Sequence, residues 1–540
     1  MERLATDRLP RYRSGLLAGV LGGLLVALSI PPFGWWPLAW LGLAILAGSL
    51  PGRPWRSRLL VGAAFGVADY VPGLYWVHEF SIPGYIAVVI VSALYVVVPV
   101  GLTPSSRMRQ VAVALPCLFA MSDWARDRFP LGGLPLGGLS LGQVAGPLRP
   151  VLRLGGGLAL TGVTVLVGVC LAALGRWAWA WRRSRPAVGP AEWIGHQDRT
   201  AAAGLAGLVL LSVLLPVAGA LSPSGAGGRL PPLKVAMVQG GGPRGTRAIN
   251  TDPQVVFDRH LAASAALRDP LRLVVWPEGV LQSHTDFATT ADAADVAGLA
   301  RSLHATMLVG VEQDVGTHRY LNEVVAWGPD GRIVGHYVKN HLVPFGEYVP
   351  YRSVIEKLFN VADVPLDAIP GHGPGFLRTP AAPLAVMISY EVFFDERARS
   401  GVRAGGQLLV VPTNTASYRS TQVPTQEVAA DRMRAVETGR WLVQVTPTGY
   451  SDVVTPDGKV VKRSHLDSRT VVFATVGRRT GMTVFDRLGD TPVVAAATAV
   501  WLAVAATALA AGRRRRQRGT VTPSPAGDRS LSGTPSQPSA

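Results

Sequence analysis

Three polar residues in the second half of the chain follow short apolar runs, and their types could take part in nucleophilic catalysis. Glu278 stands in a Pro-Glu-Gly turn after LRLVVW, Lys339 follows IVGHYV, and Ser389 follows LAVMI. A carboxylate withdrawn from water suits general-base work. A small nucleophile at a strand end, where the chain turns sharply, is accessible to a substrate. Each residue also has an ordinary interpretation, as a loop carboxylate, a solvated lysine or a turn serine, and the three positions alone leave both open.

The loop that begins at Lys339 is built from restrictive residues. It reads KNHLVPFGEYVP and contains Pro344, Gly346 and Glu347. Proline fixes one backbone angle, and glycine allows conformations that other residues rarely adopt. This composition favours a functional lysine over a solvated one.

Strands and helices alternate from Leu233 onwards, and these elements must position the three residues. Pro-Asp-Gly sequences at 329–331 and 456–458 predict hairpin turns between strands. Three segments have the periodicity of amphipathic helices: 252–267, 291–304 and 425–440. Mixed strands and helices over about 250 residues predict a layered α/β domain, which we place at residues 222–490.

The rest of the chain has the composition of a membrane protein. Hydrophobic residues make up 48% of its 540 residues, and eight apolar stretches approach or reach the length of a membrane helix. These stretches are 14–30, 36–50, 59–77, 83–101, 110–122, 154–181, 201–221 and 491–511. We therefore predict a polytopic α-helical membrane protein of about eight spans, with spans 1–7 within 14–221 and the eighth at 491–511. The basic start of the chain runs into an apolar core without a small-residue cleavage site, so the first span is predicted to be uncleaved.

The arginines predict the orientation of these spans. Lys and Arg are enriched in cytoplasmic loops, and arginines cluster in alternate connections: 1–13, 51–58, 102–109, 182–185 and 512–516. The intervening connections 31–36 and 78–82 contain neither Lys nor Arg. This pattern predicts that both termini are cytoplasmic and that the α/β domain lies outside. Residues 1–13 form the cytoplasmic N-terminus in this scheme, and 512–540 form a disordered basic tail.

The positive charge needs no nucleic-acid partner. The chain has 52 Lys and Arg against 35 Asp and Glu, a formal net charge of +17. The cytoplasmic arginines account for most of this excess, and attraction to anionic lipid is the simplest explanation. The two cysteines, Cys117 and Cys170, fall in apolar stretches and do not indicate a disulfide framework. The histidines lack metal-ligand spacing, so neither a metal nor another cofactor is predicted.

Several motifs together resemble a known family. In order along the chain they are WPEG, KNHLVPFGEYVP, MISYEVFF around Ser389 and RMRAVETGR at 432–440. With membrane helices on both sides, they resemble the apolipoprotein N-acyltransferase family of the nitrilase, or carbon–nitrogen hydrolase, superfamily. The resemblance covers roughly 14–511 and implies an αββα sandwich for the outer domain.

The resemblance also implies roles for single residues. Glu278 would be the general base, Lys339 would stabilise the tetrahedral oxyanion, and position 389 would carry the acyl group as a covalent intermediate. Glu347, Tyr390 and Glu391 occupy positions that the family uses as supporting residues. The implied reaction moves the sn-1 acyl chain of a phospholipid to the α-amine of the diacylglyceryl-modified cysteine of an apolipoprotein. It takes place at the bacterial cell membrane without a metal or nucleotide.

The sequence departs from the family pattern at two places. Ser389 stands where the family has cysteine, and a hydroxyl group is a far weaker acid than a thiol. Glu278 would therefore have to take the proton as attack occurs, and the ester intermediate would be less reactive towards amines than a thioester. In TNTASYRS (413–420), Thr415, Ser417 and Tyr418 replace the expected Asp, Trp and Phe. Cys117 and Cys170 lie in predicted helices and cannot replace the nucleophile.

These departures leave alternatives to an active acyltransferase. One is a catalytically impaired paralogue that binds lipid or lipoprotein, or acts as a scaffold in polyprenol-phosphate mannose synthesis. Another is a membrane-tethered amidase of the wider superfamily. Retention of both Glu278 and Lys339 argues against simple decay of the site, whereas the altered 413–420 segment argues the other way.

Overall fold

The structure, a computed structural model, has a helical part and an α/β part. It describes residues 8–184, 199–228, 230–242, 252–268, 270–357, 360–362, 364–418 and 421–519. The predicted N-terminal segment 1–13 and the predicted tail 512–540 therefore lie largely outside the described residues.

The helical part begins with seven long helices that coincide with the first seven apolar stretches. Together with one short helix they are α1 (Arg8–Ala27), α2 (Pro37–Ser49), α3 (Trp55–Gly73), α4 (Ile82–Leu102), α5 (Met108–Arg126), α6 (Leu139–Gln143), α7 (Leu152–Ser184) and α8 (Arg199–Leu221). The apolar stretch 59–77 is divided, because helix α3 contains Pro72 and ends at Gly73. A 3-10 helix, Tyr75–Glu79, follows it.

Helix α4 shows how these helices meet lipid. Ile82, Ile86, Ile90, Leu94 and Val98 are each at least half exposed. A spacing of four residues places them on one face of the helix, and an apolar stripe of this length is typical of a surface in contact with lipid. The opposite face packs against α3 and α5.

Glycines allow α1 to approach α3 closely. A Cβ atom at Gly23 would lie 2.2 Å from the carbonyl oxygen of Phe65, and one at Gly19 would lie 2.7 Å from that of Val61. Small residues four apart on a membrane helix commonly form such contacts.

Two β-sheets form the centre of the α/β part. The strands are β1 (Leu233–Gln239), β2 (Leu273–Val275), β3 (Leu281–Ser283), β4 (Thr306–Val315), β5 (Arg319–Trp327), β6 (Ile333–Val338), β7 (Asp367–Ala368), β8 (Phe376–Arg378), β9 (Pro383–Val386), β10 (Leu408–Pro412), β11 (Leu442–Val445), β12 (Asp452–Val454), β13 (Val460–Arg463) and β14 (Thr470–Val476). The first sheet has the order β14-β1-β2-β4-β5-β6, with β3 paired to β4 and β7 to β5, and the second has the order β13-β12-β11-β10-β9-β8.

Helices cover the outer faces of both sheets. The helices of this part are α9 (Pro253–Ser264), α10 (Ala291–Leu303), α11 (Arg352–Ile355), α12 (Asp395–Arg403), α13 (Gln422–Thr438) and α14 (Val484–Leu488), of which α9, α10, α12 and α13 lie on the sheets. Leu308 of the first sheet and Val410 of the second share one core between the sheets. Helices α9 and α10 pack on the far side of the first sheet, and α12 and α13 pack on the far side of the second. The four layers confirm the predicted αββα sandwich.

The local predictions for this part are confirmed with one refinement. The Pro-Asp-Gly turns join β5 to β6 and β12 to β13 as antiparallel hairpins. Helix α13 was expected to be amphipathic, but nearly all of its residues are buried. The second sheet covers one of its sides, and Leu152 and Leu160 of α7 belong to the same apolar cluster as its Met433.

The chain returns to the helical part through α15 (Thr491–Gly519), which packs against α5. Among the described residues, four helices are long and apolar enough to cross a membrane: Ile82–Leu102, Arg149–Arg183, Ala202–Leu221 and Thr491–Arg513. The number of eight spans therefore stays a prediction, and the helices support a membrane protein.

Candidate active site

Three of the predicted site residues meet in a buried ion-pair network. The ammonium nitrogen of Lys339 lies 2.7 Å from Oε1 of Glu278 and 2.9 Å from Oε1 of Glu347. Glu278 follows β2, Lys339 follows β6, and Glu347 belongs to the loop after Lys339. All three are nearly fully buried. The site is therefore built where two strands of the first sheet end.

Asn322 completes this network, and the sequence analysis missed it. Its Nδ2 donates to Oε1 of Glu278 at 2.8 Å and to Oε1 of Glu347 at 2.7 Å. The antiparallel register of β5 and β6 places Asn322 opposite Lys339, whose backbone N–H donates to the carbonyl of Asn322 at 2.8 Å. In the sequence, Asn322 is marked only as the one side-chain amide of β5.

Charge interactions keep Lys339 protonated. Burial alone would lower the pKa of Lys339, but the adjacent carboxylates of Glu278 and Glu347 outweigh burial and raise it. Burial raises the pKa of Glu347, with opposition from Lys339 and from the Val343 amide. A fixed ammonium beside two carboxylates is suited to stabilising negative charge that develops during a reaction.

The loop after Lys339 adopts one defined shape around Glu347. Oε2 of Glu347 accepts a hydrogen bond from the Val343 amide at 2.7 Å, and the Phe345 amide donates to the carbonyl of Tyr348 at 2.8 Å. Phe345 has a φ of 62°, a conformation that non-glycine residues rarely adopt. The restrictive composition of the loop thus serves to orient one carboxylate towards Lys339.

Ser389 lies at a strained turn after β9. It has a φ of 49° and begins the 3-10 helix Ser389–Phe393. Positive φ in a non-glycine residue is held in place by surrounding contacts and is frequent at functional sites. This turn is the strand-end geometry that the sequence predicted for a nucleophile.

Glu391 ties the Ser389 turn to the loop that carries Lys339. Its Oε1 accepts from the amides of Asn340 at 2.7 Å and His341 at 3.1 Å, while its Oε2 accepts from the Ile388 amide at 2.8 Å. Asn340 follows Lys339 directly, His341 is two residues from Lys339, and Ile388 directly precedes Ser389. Glu391 therefore fixes the relative position of the nucleophile segment and the lysine segment.

Tyr390 points away from this network towards the helical part. Its hydroxyl donates to the carbonyl of Gly133, in the connection after α5, at 3.1 Å. Its ring packs edge-on against Phe394, with 5.1 Å between ring centroids. Among the predicted supporting residues, Glu347 and Glu391 contact the lysine segment, whereas Tyr390 joins the α/β part to the membrane helices.

The segment 413–420, which differs from the family pattern, reaches both the site and the membrane helices. The structure describes it as far as Tyr418, whose ring centroid lies 5.3 Å from that of Trp76 and 5.4 Å from that of Phe80. Burial raises the pKa of Tyr418, and the nearby carboxylates of Glu427 and Glu278 raise it further. Tyr418 therefore lies between the charged network and the 3-10 helix after α3.

The fold and the site define a membrane protein with a carbon–nitrogen hydrolase domain. The family model described as "Carbon-nitrogen hydrolase" matches residues 234–481. The model described as "Apolipoprotein N-acyltransferase N-terminal domain" matches residues 22–170. Together the two matches cover more than half of the chain, which belongs to the apolipoprotein N-acyltransferase family.

Relatives with that name resemble the chain over most of its length. The apolipoprotein N-acyltransferase of Mycolicibacterium smegmatis is 31% identical over 469 residues, which cover 83% of this chain and 77% of that protein. The one from Azotobacter vinelandii is 30% identical over 549 residues, covering 95% of this chain and 98% of that protein. Among solved structures, an amidase from Nesterenkonia sp. is similar at 20% identity with a TM-score of 0.36, over 50% of this chain and 97% of the amidase.

Proposed function

We propose that this protein transfers a fatty acyl chain from a membrane phospholipid to the N-terminal α-amine of the diacylglyceryl-modified cysteine of apolipoproteins. The observation that carries the proposal is the buried Lys339 held between Glu278 and Glu347. Glu391 bonds the turn that presents Ser389 to the same loop. A base, a cation and a nucleophile are the three groups that acyl transfer through a covalent intermediate needs.

In the first half-reaction, Oγ of Ser389 attacks the carbonyl carbon of the phospholipid ester. Glu278 takes the hydroxyl proton as the new C–O bond forms, because the serine hydroxyl is too weak an acid to ionise beforehand. Lys339 stabilises the oxyanion of the tetrahedral intermediate. When the intermediate collapses, the bond to the lysophospholipid oxygen breaks and Glu278 returns the proton to that oxygen.

In the second half-reaction, the neutral α-amine of the lipoprotein attacks the acyl ester on Ser389. Glu278 accepts a proton from the attacking nitrogen and returns it to Oγ as the ester bond breaks. The products are the N-acylated lipoprotein and the free Ser389 hydroxyl. Because esters react more slowly with amines than thioesters do, this step is the slower one in our account.

We further propose that the α/β part faces the extracytoplasmic side with both termini cytoplasmic. The distribution of arginines supports this topology. Residues of two connections predicted to lie outside contact the α/β part, since Phe80 packs on Tyr418 and Gly133 accepts from Tyr390. Both substrates are anchored in the membrane, so a site beside these connections suits them.

The alternative of a catalytically impaired scaffold is not favoured. The relatives are named as acyltransferases, and the complete network around Lys339 gives an idle protein no advantage that we can identify. A partnership with a polyprenol-phosphate mannose synthase stays a prediction of that alternative.

The test is a transfer assay with purified full-length protein in phospholipid vesicles and a synthetic diacylglyceryl lipopeptide. Mass spectrometry of the lipopeptide should show the addition of one acyl chain by the wild type. Glu278→Gln should slow this addition about 100- to 10,000-fold, the usual contribution of a general base. The control Glu356→Gln removes the same charge at an exposed position and should retain wild-type rates. Equal rates for Glu278→Gln and wild type would contradict the proposed role.

A further inference from the structure

Glu427 is a buried carboxyl that the proposed reaction does not use. It lies on α13 and is 3% exposed. Its one hydrogen bond among the described residues joins Oε1 to the hydroxyl of Thr413, at 3.0 Å. A buried carboxyl with a single neutral partner is costly in its ionised form, so its position calls for a chemical explanation.

The strand register brings Thr413 and Ser389 to the same edge of the second sheet. Strands β9 and β10 are parallel neighbours in which Val386 pairs with Val410. Strand β9 ends at this pair, and the Met387 amide that follows it still donates to the carbonyl of Val410 at 3.0 Å. Ser389 and Thr413 each follow the pair by three residues, and the 3-10 helix that Ser389 begins contacts β10. The Thr413 amide is fixed by a 2.9 Å hydrogen bond to the carbonyl of Val445. Thr413 therefore connects Glu427 to the edge of the sheet at which the turn of Ser389 begins.

Burial, helped by two neighbouring carboxylates, favours the neutral form of Glu427. Burial raises the pKa of Glu427 to about 8, with the Thr413 hydroxyl opposing the rise and Glu278 adding to it. Lys339 lowers this pKa, and Asp452 of β12 raises it. Among the described residues, Tyr418 and Asp431 also interact electrostatically with Glu427. At pH 7 most molecules consequently hold a proton on this carboxyl.

We propose that Glu427 is a positioning residue whose neutral carboxyl donates to Oγ1 of Thr413, so that the Thr413 hydroxyl donates towards the acyl carbonyl at Ser389. The inference rests on the proposed function, because it concerns the same acyl transfer. When Glu427 ionises, the Thr413 hydroxyl turns to donate to the carboxylate. The reacting acyl group then loses one hydrogen-bond donor, and the ionised Glu427 adds a negative charge next to Thr413.

The first test is the pH dependence of acyl-enzyme formation in a single turnover, with a phospholipid whose headgroup does not titrate between pH 6 and 10. The wild-type rate should fall about tenfold or more above pH 8, within the range for loss of an oxyanion donor. Glu427→Gln should be slower than wild type by up to about threefold at pH 7, yet should lack the alkaline fall, since its amide donates to Thr413 at every pH.

The matched control is Asp431→Asn, which removes another buried acid one turn further along α13. It has no hydrogen-bond partner among the described residues and should retain the alkaline fall. Lys339 does not cause this fall, because its pKa is raised by its two carboxylates. An alkaline fall that is the same in wild type and Glu427→Gln would overturn the proposal.

Infrared spectroscopy tests the protonation of Glu427 without any acyl transfer. Wild type minus Glu427→Gln should show a carboxylic acid carbonyl band at pH 7 that disappears with a midpoint near pH 8. Thr413→Val should shift this band, since the acid loses its acceptor. Absence of the band, or a band that Thr413→Val leaves unmoved, would overturn the inference. A wild type that shows the band but forms no acyl adduct at any pH would overturn the proposed function instead.

Discussion

At the scale of single residues, the site depends on how one cation is shared between two carboxylates. Lys339 can neutralise one negative charge, so Glu278 and Glu347 would repel each other without further help. Asn322 supplies that help, because its amide donates to both carboxylates. The arrangement holds the carboxyl group of Glu278 in one position beside Lys339.

Replacement of Asn322 should therefore impair both activity and folding. In Asn322→Leu, two buried carboxylate oxygens lose a donor, which should destabilise the fold by about 1–3 kcal/mol. Acyl-enzyme formation should slow about tenfold or more, since Glu278 is no longer held in place. Single-turnover kinetics and chemical denaturation measure the two effects.

Asn340→Leu provides the control for this prediction. Asn340 follows Lys339 and donates its side-chain amide to the carbonyl of Gly371 at 2.7 Å, away from the carboxylates. It should lose stability with a smaller loss of rate. Equal loss of rate in the two variants would argue that Asn322 acts through general stability alone.

The residues that the sequence revealed were those in unusual local surroundings. Glu278 and Ser389 stand at turns after apolar runs, and Lys339 and Glu347 belong to a loop of restrictive composition. Asn322 is marked only as the one side-chain amide of β5, and Glu427 has no local signal. Their side chains bond to residues of other segments, Asn322 to Glu278 and Glu347 and Glu427 to Thr413, and only the folded chain brings these residues together.

At the scale of secondary structure elements, α13 is the least ordinary element of the molecule. Its sequence has polar residues on several sides, which predicts a helix with one solvated face. The second sheet and α7 cover it from both sides, so Asp431 and Glu437 are fully buried. A pattern within one segment does not show what will pack on its polar side, whereas the β5–β6 hairpin follows from its own turn.

The buried acids of α13 should make the protein less stable at alkaline pH. Burial raises the pKa of Asp431 well above its usual range, and Asp452 and Glu427 raise it further. A carboxyl with a raised folded-state pKa contributes stability below its unfolded pKa of about 4, and this contribution is lost as pH rises towards the folded value. Thermal unfolding in detergent should therefore show a midpoint that falls from pH 5 to pH 9.

Asp431→Asn should flatten this dependence, with its largest gain relative to wild type at pH 9. The exposed Glu356→Gln should leave the slope unchanged. A slope that is the same in wild type and Asp431→Asn would show that Asp431 does not titrate differently in the folded and unfolded states.

At the scale of the whole molecule, the α/β part is seated directly on the membrane helices. Gln422 at the start of α13 donates to the carbonyl of Pro72 at 2.7 Å and accepts from the Trp76 amide at 2.9 Å. One turn later, Gln426 accepts from the Gly137 amide at 2.9 Å. These bonds place the 3-10 helix after α3 beside the 413–418 segment, and thus beside the charged network.

The sequence predicted the two parts and their order, and the αββα sandwich came from the resemblance. Apolar length and strand–helix alternation are properties of single segments and can be read locally. The seating of one part on the other could not be predicted, since it depends on glutamines of α13 that meet backbone carbonyls and amides hundreds of residues away.

The most direct test of the central claim is the mass of the intact protein after incubation with phosphatidylethanolamine vesicles, for wild type, Ser389→Ala and Ser389→Cys. We expect the wild type to gain one acyl chain, which peptide mapping places on Ser389. Ser389→Ala should gain none, and Ser389→Cys should be acylated faster because a thiol ionises more readily. An unmodified wild type beside a readily acylated Ser389→Cys would contradict the account, since the pocket would then be intact and Ser389 would not serve as its nucleophile.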